Sequence, residues 1–277
     1  MRSQQEKAAI FKLLHEQPGC FVIPNPWDAG SAKLLANLGF EALATTSAGL
    51  AFVLGRRDGK CLVSRDEALS NAHEIVSATE LPVSADLENG YEDDPVGVSE
   101  TIKCAGEVGL VGASIEDATG NPDNPIYEFG LAVERVRAAS EAAKEFSFPF
   151  LLTARAENYL HGRPDINDTI RRLQAFQEAG ADVLYAPGLK TRADIAAVVD
   201  SVDRPVNVVM GLQGLRLSIP ELAELGVKRV SVGSSLNRVA LGAFLKAAGE
   251  IKQHGTFSFS DAAVSSGDLD EIFGKSF

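Results

Sequence analysis

The 277-residue chain has few of the residues that build disulfide or zinc frameworks. It contains three cysteines, four histidines, two methionines and one tryptophan. Cys20, Cys61 and Cys104 are far apart and show neither a paired pattern nor a metal-ligand spacing, so no disulfide framework is expected. This use of cysteine favours a reducing cytoplasm over secretion.

Long apolar runs are missing as well. No window of about 20 apolar residues could span a bilayer, and the first residues, M-R-S-Q-Q-E-K, lack the apolar part of a signal peptide. We therefore expect a soluble protein with no membrane partner. Basic residues are in the minority, 26 against 38 acidic ones, and the net charge of −12 disfavours nucleic acid as a partner. A small anionic substrate is not excluded, because a local metal ion and an arginine can reverse the field.

The residues that are present predict an α/β barrel. Helical segments end at Gly39, Gly109, Gly180 and Gly226, and an apolar strand follows each of them within a few residues. Strands are expected near residues 20–24, 41–46, 81–86, 111–116, 149–154, 182–186, 205–209 and 228–232. Helices are expected between them, at 64–79, 95–107, 130–145, 165–179, 190–201, 218–225 and 235–253, with a further one through residues 34 and 35.

Eight strands that alternate with helices at about 30-residue spacing predict parallel pairing and a closed (β/α)8 barrel of the TIM type. We expect one domain over residues 1–277, with an extra N-terminal helix at 3–17. The residues at 254–277 form a C-terminal tail that we expect to pack on, or swap with, a neighbouring subunit. An open doubly wound sheet is the alternative, but no G-x-G-x-x-G follows the first strand.

Charged residues stand at the ends of three consecutive strands. Asp86 and Glu88 end the third strand, Glu116 the fourth and Arg155 the fifth. Because a barrel carries its active site at the carboxyl ends of its strands, these side chains are expected to converge there. Carboxylates of this kind can hold a hard divalent cation, and the arginine can clamp a carboxylate or a phosphonate. Solvent-facing strand ends are the plain alternative for any one of them.

Three further segments are candidates, each with an ordinary structural alternative. Asp58 lies in G55-R-R-D-G-K, where an aspartate before glycine is commonly just a turn residue. The small residues at 47–49, Ser47, Ala48 and Gly49, are typical of a turn whose N–H groups suit an anion, or of a plain strand-to-loop turn. Asn207 can bind ligand or close a layer of the barrel core.

In this order and spacing, several short segments resemble the isocitrate lyase / phosphoenolpyruvate mutase superfamily. They are T46-S-A-G, R57-D-G, A85-D-L-E-N-G-Y, I115-E-D, A154-R-A-E and Pro205-Val206-Asn207-Val208. The resemblance implies a barrel that binds Mg²⁺, or Mn²⁺, and a 2-oxo acid. It also implies that Asp86 is the direct metal ligand, that Asp58, Glu88 and Glu116 hold metal-bound waters, that residues 47–49 bind the substrate carboxylate, and that Arg155 braces an enolate.

The chain also departs from the family pattern. Lyases that release succinate carry a K-K/R-C-G-H loop after the strand-4 E-D, whereas this chain has A118-T-G-N-P-D-N-P-I-Y-E-F-G. Asn121 and Asn124 in that loop are candidates for contacting the substrate, and we expect the loop to act as a lid. Cys104 lies one element earlier, at helical spacing, and is expected to be a buried structural thiol.

We therefore expect a lyase or decarboxylase that cleaves a C–C bond of a small 2-oxo or 2-hydroxy di-acid through a pyruvate-type enolate. Arg155, Glu116 and Asp58 are its expected catalytic residues. The alternatives are P–C chemistry on phosphonopyruvate, by a mutase or a hydrolase, and a catalytically silent barrel that binds a metabolite. The expected partners are a small anionic 2-oxo acid and further copies of the chain in a homodimer or homotetramer.

Overall fold

The computed structural model describes residues 2–275, and these residues form a parallel eight-stranded barrel with helices around it. The strand order is β1-β8-β7-β6-β5-β4-β3-β2. The remaining gap, between β1 and β2, is bridged where the Ala44 N–H donates to the Pro24 carbonyl at 3.1 Å. The predicted barrel is confirmed. The strands are Phe21–Ile23 (β1), Leu43–Ala44 (β2), Val83–Asp86 (β3), Gly112–Glu116 (β4), Leu151–Arg155 (β5), Val183–Tyr185 (β6), Val206–Val209 (β7) and Arg229–Ser231 (β8).

Helices fill the connections. They are Gln4–Glu16 (α1), Ala29–Asn37 (α2), Ser47–Val53 (α3), Arg65–Ser77 (α4), Pro95–Glu107 (α5), Phe129–Lys144 (α6), Ile166–Glu178 (α7), Arg192–Asp200 (α8), Ile219–Glu224 (α9), Ser235–His254 (α10) and Ser266–Phe273 (α11), with a 3₁₀ turn at Ser258–Ala262. The four glycines predicted to close helices have φ angles between +80° (Gly226) and +106° (Gly180). Since that region of φ favours glycine, local sequence determines where these helices end.

The amino-terminal end of the barrel is closed by α1. Phe11 is fully buried in a cluster with Phe21, Val111 and Leu151. Gly112 leaves space for the Phe11 side chain, because a Cβ at position 112 would lie 3.0 Å from Phe11 Cε1 and 2.7 Å from the Leu151 carbonyl oxygen. The end of the barrel that α1 leaves open is therefore the opposite one, where the strands terminate.

Three sequence-based expectations for the first half of the chain are wrong. The second strand is shorter than predicted, and residues 47–49 begin helix α3 and do not form a turn. Thr46 explains the helix, because its hydroxyl accepts a hydrogen bond from the Gly49 N–H and so caps the first turn. Cys104 lies on α5 as predicted, but it is only partly buried, with Sγ 3.8 Å from Glu100 Oε1.

The eighth barrel helix, α10, does not cover the barrel. Of its twenty residues only Asn237 is buried, and Val239, Phe244 and Leu245 are each about two-thirds exposed or more. Farther along, α11 packs on α2 of the same chain. Among residues 2–275, no helix combines the length and the apolar character that crossing a bilayer would need.

Candidate active site

Arg155 lies at the centre of the charged cluster at the carboxyl ends of the strands. Its Nη1 is 2.7 Å from Asp86 Oδ1, its Nη2 3.0 Å from Glu116 Oε2, and its Nε 2.8 Å from Glu157 Oε1. The guanidinium carbon lies 5.1 Å above the centre of the Tyr185 ring. Strand register explains the meeting, because Glu116 pairs with Arg155 across β4 and β5, and Arg155 pairs with Tyr185 across β5 and β6.

One cation therefore serves three carboxylates, of which Glu157 is buried and Asp86 and Glu116 are partly buried. Burial raises the pKa of Glu116 well above its usual range against the lowering effect of Arg155, and the neighbouring charge of Glu157 adds to the rise. Burial likewise raises the pKa of Glu157 to about 7. Burial alone would lower the pKa of Arg155, but the surrounding carboxylates raise it well above its ordinary value. The cluster contains more carboxyl groups than cations, and a second cation would favour their ionised forms.

Asp86 connects this cluster to the start of α3. Its Oδ2 accepts hydrogen bonds from the Ser47 N–H at 3.2 Å and from the Ser47 hydroxyl at 2.7 Å. Gly49 is required by close packing, since a Cβ there would lie 2.5 Å from Thr46 Cγ2 and 3.1 Å from Trp27 Cβ. Of the three predicted anion-binding N–H groups, those of Ser47 and Gly49 are thus already engaged by side chains, whereas that of Ala48 has no side-chain acceptor within residues 2–275.

The spacing of two residues predicted that Glu88 and Asp86 share one face of a strand. This prediction is wrong. β3 ends at Asp86, and Glu88 has a left-handed φ of +47°. Alternation of side chains applies only to extended backbone, which explains the error. Burial, followed by the charges of Asp86 and Asp58, raises the pKa of Glu88 to about 7. Glu88 lines a side cavity of about 530 Å³ beside the barrel mouth.

The barrel mouth itself encloses about 170 Å³, space for a small molecule. Ser47, Ala48, Asp58, Asp86 and Arg155 all line it, as the sequence predicted for a common site. Burial, and after it the charge of Asp86, raises the pKa of Asp58. No histidine or cysteine is among the residues that line this mouth cavity.

The floor of the mouth is a buried arginine, Arg229, surrounded by neutral hydrogen-bonding side chains. Asn207, which is 1% exposed, accepts from Arg229 Nε at 2.8 Å and donates to the Ser231 hydroxyl at 3.0 Å. Arg229 also donates to the Thr153 hydroxyl at 2.9 Å. Both ends of the Asn207 amide are used within the barrel, so it closes a core layer while it faces the cavity.

The loop after β4 lies outside the mouth cavity in this structure. Ala118 and Ile126 form an isolated antiparallel bridge, and the turn between them exposes Asn121 and Asn124. Neither asparagine lines the mouth, and Tyr127 donates its hydroxyl hydrogen to Asp93. Contact between this loop and a substrate stays a prediction.

Two residues that contact Arg155 in the charged cluster were not assigned a role from the sequence. Glu157 holds Arg155 Nε, and Tyr185 lies under its guanidinium. The Arg155–Glu157 spacing was a usable signal, because both follow the fifth strand. The Tyr185 contact depends on the alignment of β5 with β6, which no local pattern reports.

Comparisons with known proteins agree with this architecture. A family model described as phosphoenolpyruvate phosphomutase matches residues 11–252. A crystal structure of a candidate lyase/mutase from Burkholderia cenocepacia J2315 is 58% identical and superposes with a TM-score of 0.95, covering 98% of this chain and 97% of the other.

Two relatives have named activities. Oxaloacetate decarboxylase of Pseudomonas aeruginosa PAO1 is 29% identical over 249 residues, which are 87% of this chain and 84% of the relative. The crystal structure of 2,3-dimethylmalate lyase is 25% identical with a TM-score of 0.87, covering 99% of this chain and 96% of the other.

The barrel, the strand-end cluster and the family match together define an enzyme of the isocitrate lyase / phosphoenolpyruvate mutase superfamily. The chain belongs to the phosphoenolpyruvate phosphomutase family, and the relatives named above include a decarboxylase and a lyase.

Proposed function

We propose that the chain is a lyase or decarboxylase that cleaves a C–C bond of a small 2-oxo or 2-hydroxy di-acid through a pyruvate-type enolate, with Mg²⁺ or Mn²⁺ as cofactor. The observation that carries the proposal is the Arg155 cluster at a mouth cavity of about 170 Å³. The relatives named for oxaloacetate and for 2,3-dimethylmalate support the substrate class.

The carboxylates fit a divalent cation by their chemistry. Oxygen donors are the ligands that Mg²⁺ prefers, and it is commonly held by one or two carboxylates with waters completing the shell. Within residues 2–275, no three acidic, histidine or cysteine side chains converge closely enough to hold a metal by themselves. The proposed set, which follows from the family resemblance, has Asp86 as the direct ligand and Asp58, Glu88 and Glu116 acting through water, so it does not require three side chains to meet at the metal. A carboxylate can accept about four hydrogen bonds. Asp86 already accepts four, from Arg155, from the Ser114 hydroxyl, and from both the N–H and the hydroxyl of Ser47, so a metal ion bound to it would take the place of one of these donors.

When bound, the cation would polarise the 2-oxo group and stabilise negative charge next to it. Arg155 supplies a fixed positive charge close to the same place, so that an enolate oxygen formed there is stabilised without reorganisation. The Ala48 N–H at the start of α3 is a donor for the substrate carboxylate. These groups hold the substrate in one orientation, which lowers the entropic part of the barrier.

The absence of histidine and cysteine from the mouth favours a reaction that needs no strong base. Decarboxylation of a 2-oxo di-acid whose second carboxylate is on the carbon next to the oxo group, as in oxaloacetate, meets this condition, because loss of CO₂ leaves the bond electrons in the enolate directly. Retro-aldol cleavage of a 2-hydroxy di-acid requires a proton to leave the hydroxyl group, and Asp58, a carboxylate with a raised pKa that lines the mouth, is the candidate acceptor. Decarboxylation is the simpler assignment.

The test is a substrate panel assayed with Mg²⁺ or Mn²⁺ and with a chelator. Oxaloacetate, 2,3-dimethylmalate and phosphonopyruvate are compared by release of CO₂, pyruvate or phosphate and by formation of phosphoenolpyruvate. Because free Mg²⁺ decarboxylates oxaloacetate by itself, Asp86→Asn protein at equal metal concentration is the matched control. We expect turnover of a di-acid that falls on the order of a hundredfold or more in the variant. Turnover of phosphonopyruvate but of neither di-acid would show that the enzyme acts on a P–C bond and not on a C–C bond. Binding without turnover would indicate a catalytically silent barrel.

We further propose that the protein is a homo-oligomer in which a second copy covers α10. The exposed Val239, Phe244 and Leu245 present an apolar surface at the helix that should complete the barrel layer. Light scattering should give a dimer or tetramer, and Phe244→Asp should lower the mass. An unchanged monomer for the native chain would refute this part of the proposal.

A further inference from the structure

A second cavity lies directly beside the mouth, between the loops that follow β5, β6 and β7. It encloses about 440 Å³. Leu160, Val209 and Leu212 line both this cavity and the mouth. The two spaces are therefore adjacent, and the side chains between them are aliphatic.

The two cavities differ in chemistry. Asp58, Asp86 and Arg155 line the mouth. The second cavity has no acidic residue in its lining, which includes Leu189, Met210 and Leu215. Its one charged side chain is that of the exposed Lys190. A ligand that extends from the mouth into this space thus passes from a charged to an apolar environment.

The apolar wall is only partly buried. Leu160 is 50% exposed, and Val209, Met210, Leu212 and Leu215 are half-buried. Apolar surface that faces water around a cavity of this size is covered favourably by an alkyl group, roughly in proportion to the area removed from water.

Local backbone geometry holds Leu160 in place. Gly188 has a φ of +86°, and a Cβ there would lie 2.8 Å from Leu160 Cδ2 and 3.2 Å from Tyr159 Cβ. Glycine at 188 therefore lets the loop after β6 approach Leu160 closely. The wall between the cavities is a packed contact between two loops.

We propose that the second cavity is the subsite for an aliphatic substituent of the substrate, so that the preferred substrate is a 2-oxo or 2-hydroxy acid with an alkyl chain or branch beside the reacting carbons. The inference rests on the proposed function, because it takes the mouth as the place of the acid group. It goes beyond that function by making Leu160, Val209 and Leu212 the residues that determine specificity.

The experiment measures binding, not turnover. Calorimetric titration of the Mg²⁺-loaded protein uses pyruvate, 2-oxobutanoate, 2-oxopentanoate and 4-methyl-2-oxopentanoate. These acids lack a second carboxylate and so cannot be decarboxylated to an enolate of the proposed kind. Each methylene that enters the cavity should strengthen binding by up to about fourfold. 2-Oxoglutarate, with the same number of carbons as 2-oxopentanoate, tests whether Lys190 recognises a carboxylate instead.

Leu160→Gln should weaken this gain per methylene, measured as the ratio of each affinity to the affinity of the same variant for pyruvate. Leu13→Gln is the matched control, because Leu13 is also 50% exposed but lies on α1 at the closed end of the barrel. Val209→Thr, which keeps the shape of the side chain, is the second variant and should weaken the gain in the same way.

The outcomes separate the two proposals. Binding of pyruvate with no gain along the series refutes the apolar subsite and leaves the proposed function standing. Tighter binding of 2-oxoglutarate than of 2-oxopentanoate also refutes it, in favour of a carboxylate site at Lys190. Failure of pyruvate itself to bind refutes the proposed function and the subsite with it.

Discussion

Replacing Arg155 with methionine tests the account of the charged cluster most directly. Its side chain is 13% exposed and makes ion pairs of 2.7, 3.0 and 2.8 Å with Asp86, Glu116 and Glu157. Methionine approximates its aliphatic part but leaves three carboxylates without their shared cation. Removing one partner of a buried ion pair typically costs about 3–5 kcal/mol. Because the three contacts share one cation, their losses do not add, and we expect a loss in this range for the metal-free protein at pH 7.5.

The loss should depend on pH. Arg155 lowers the pKa of both Glu116 and Glu157, so its removal raises these folded-state values further above the unfolded ones. A group with a raised folded pKa stabilises the protein at low pH, and this stability is lost as the pH rises through the folded value. The destabilisation should therefore shrink as the pH falls from 7.5 toward 5, where Glu157 takes up its proton.

The assay is urea unfolding with a chelator present, at pH 5.5 and pH 7.5, for the native chain and for Arg155→Met. The control is Arg163→Met, since Arg163 is exposed in the loop after the same strand and makes no ion pair within residues 2–275. Its expected effect is within about 0.5 kcal/mol. Equal losses for the two variants, or a loss for Arg155→Met that is the same at both pH values, would show that the cluster is not coupled as described.

The remaining predictions concern the metal, the side cavity, the thiol and the lid. Mg²⁺ should raise the melting temperature of the native chain but not of Asp86→Asn, and an equal shift in both would remove Asp86 as the direct ligand. In the metal-free protein the free energy of unfolding should fall as the pH rises from about 4.5 to about 7, because the folded-state pKa of Glu88 is raised to about 7. Glu88→Gln should reduce this fall by up to about 3 kcal/mol, which chemical denaturation across that pH range measures. Cys104→Ser should change the rate by no more than a few-fold, and a loss of several orders of magnitude would place that thiol in the chemistry. Hydrogen exchange over residues 118–130 should slow when Mg²⁺ and oxalate are added, whereas equal protection would rule out a lid.

Local sequence patterns contained the information for the barrel. Gly39, Gly109 and Gly180 end helices because a left-handed residue is needed there, and the apolar runs after them form parallel strands. Strand ends that carry Asp86, Glu116 and Arg155 predicted a charged mouth, because parallel strands deliver their carboxyl ends to one side. Helix ends and apolar strands recur with the period of the secondary structure, so they can be recognised from the sequence alone.

Other features depended on contacts between residues that are distant in sequence. The left-handed backbone at Glu88 moved that carboxylate to a side cavity, although its spacing from Asp86 indicated a common face. The helical turn at Ser47 formed where small residues suggested a loop, because Thr46 caps it and Asp86 accepts from it.

The sequence by itself determined the fold class and which charged residues stand at the strand ends. Only the tertiary structure decided that Arg155 is shared by three carboxylates over Tyr185, and that Leu160 and Leu212 separate the mouth from an apolar cavity. The physical reason is that burial periodicity and helix capping act over a few neighbouring residues, whereas these contacts are set by strand register and loop packing across the whole barrel.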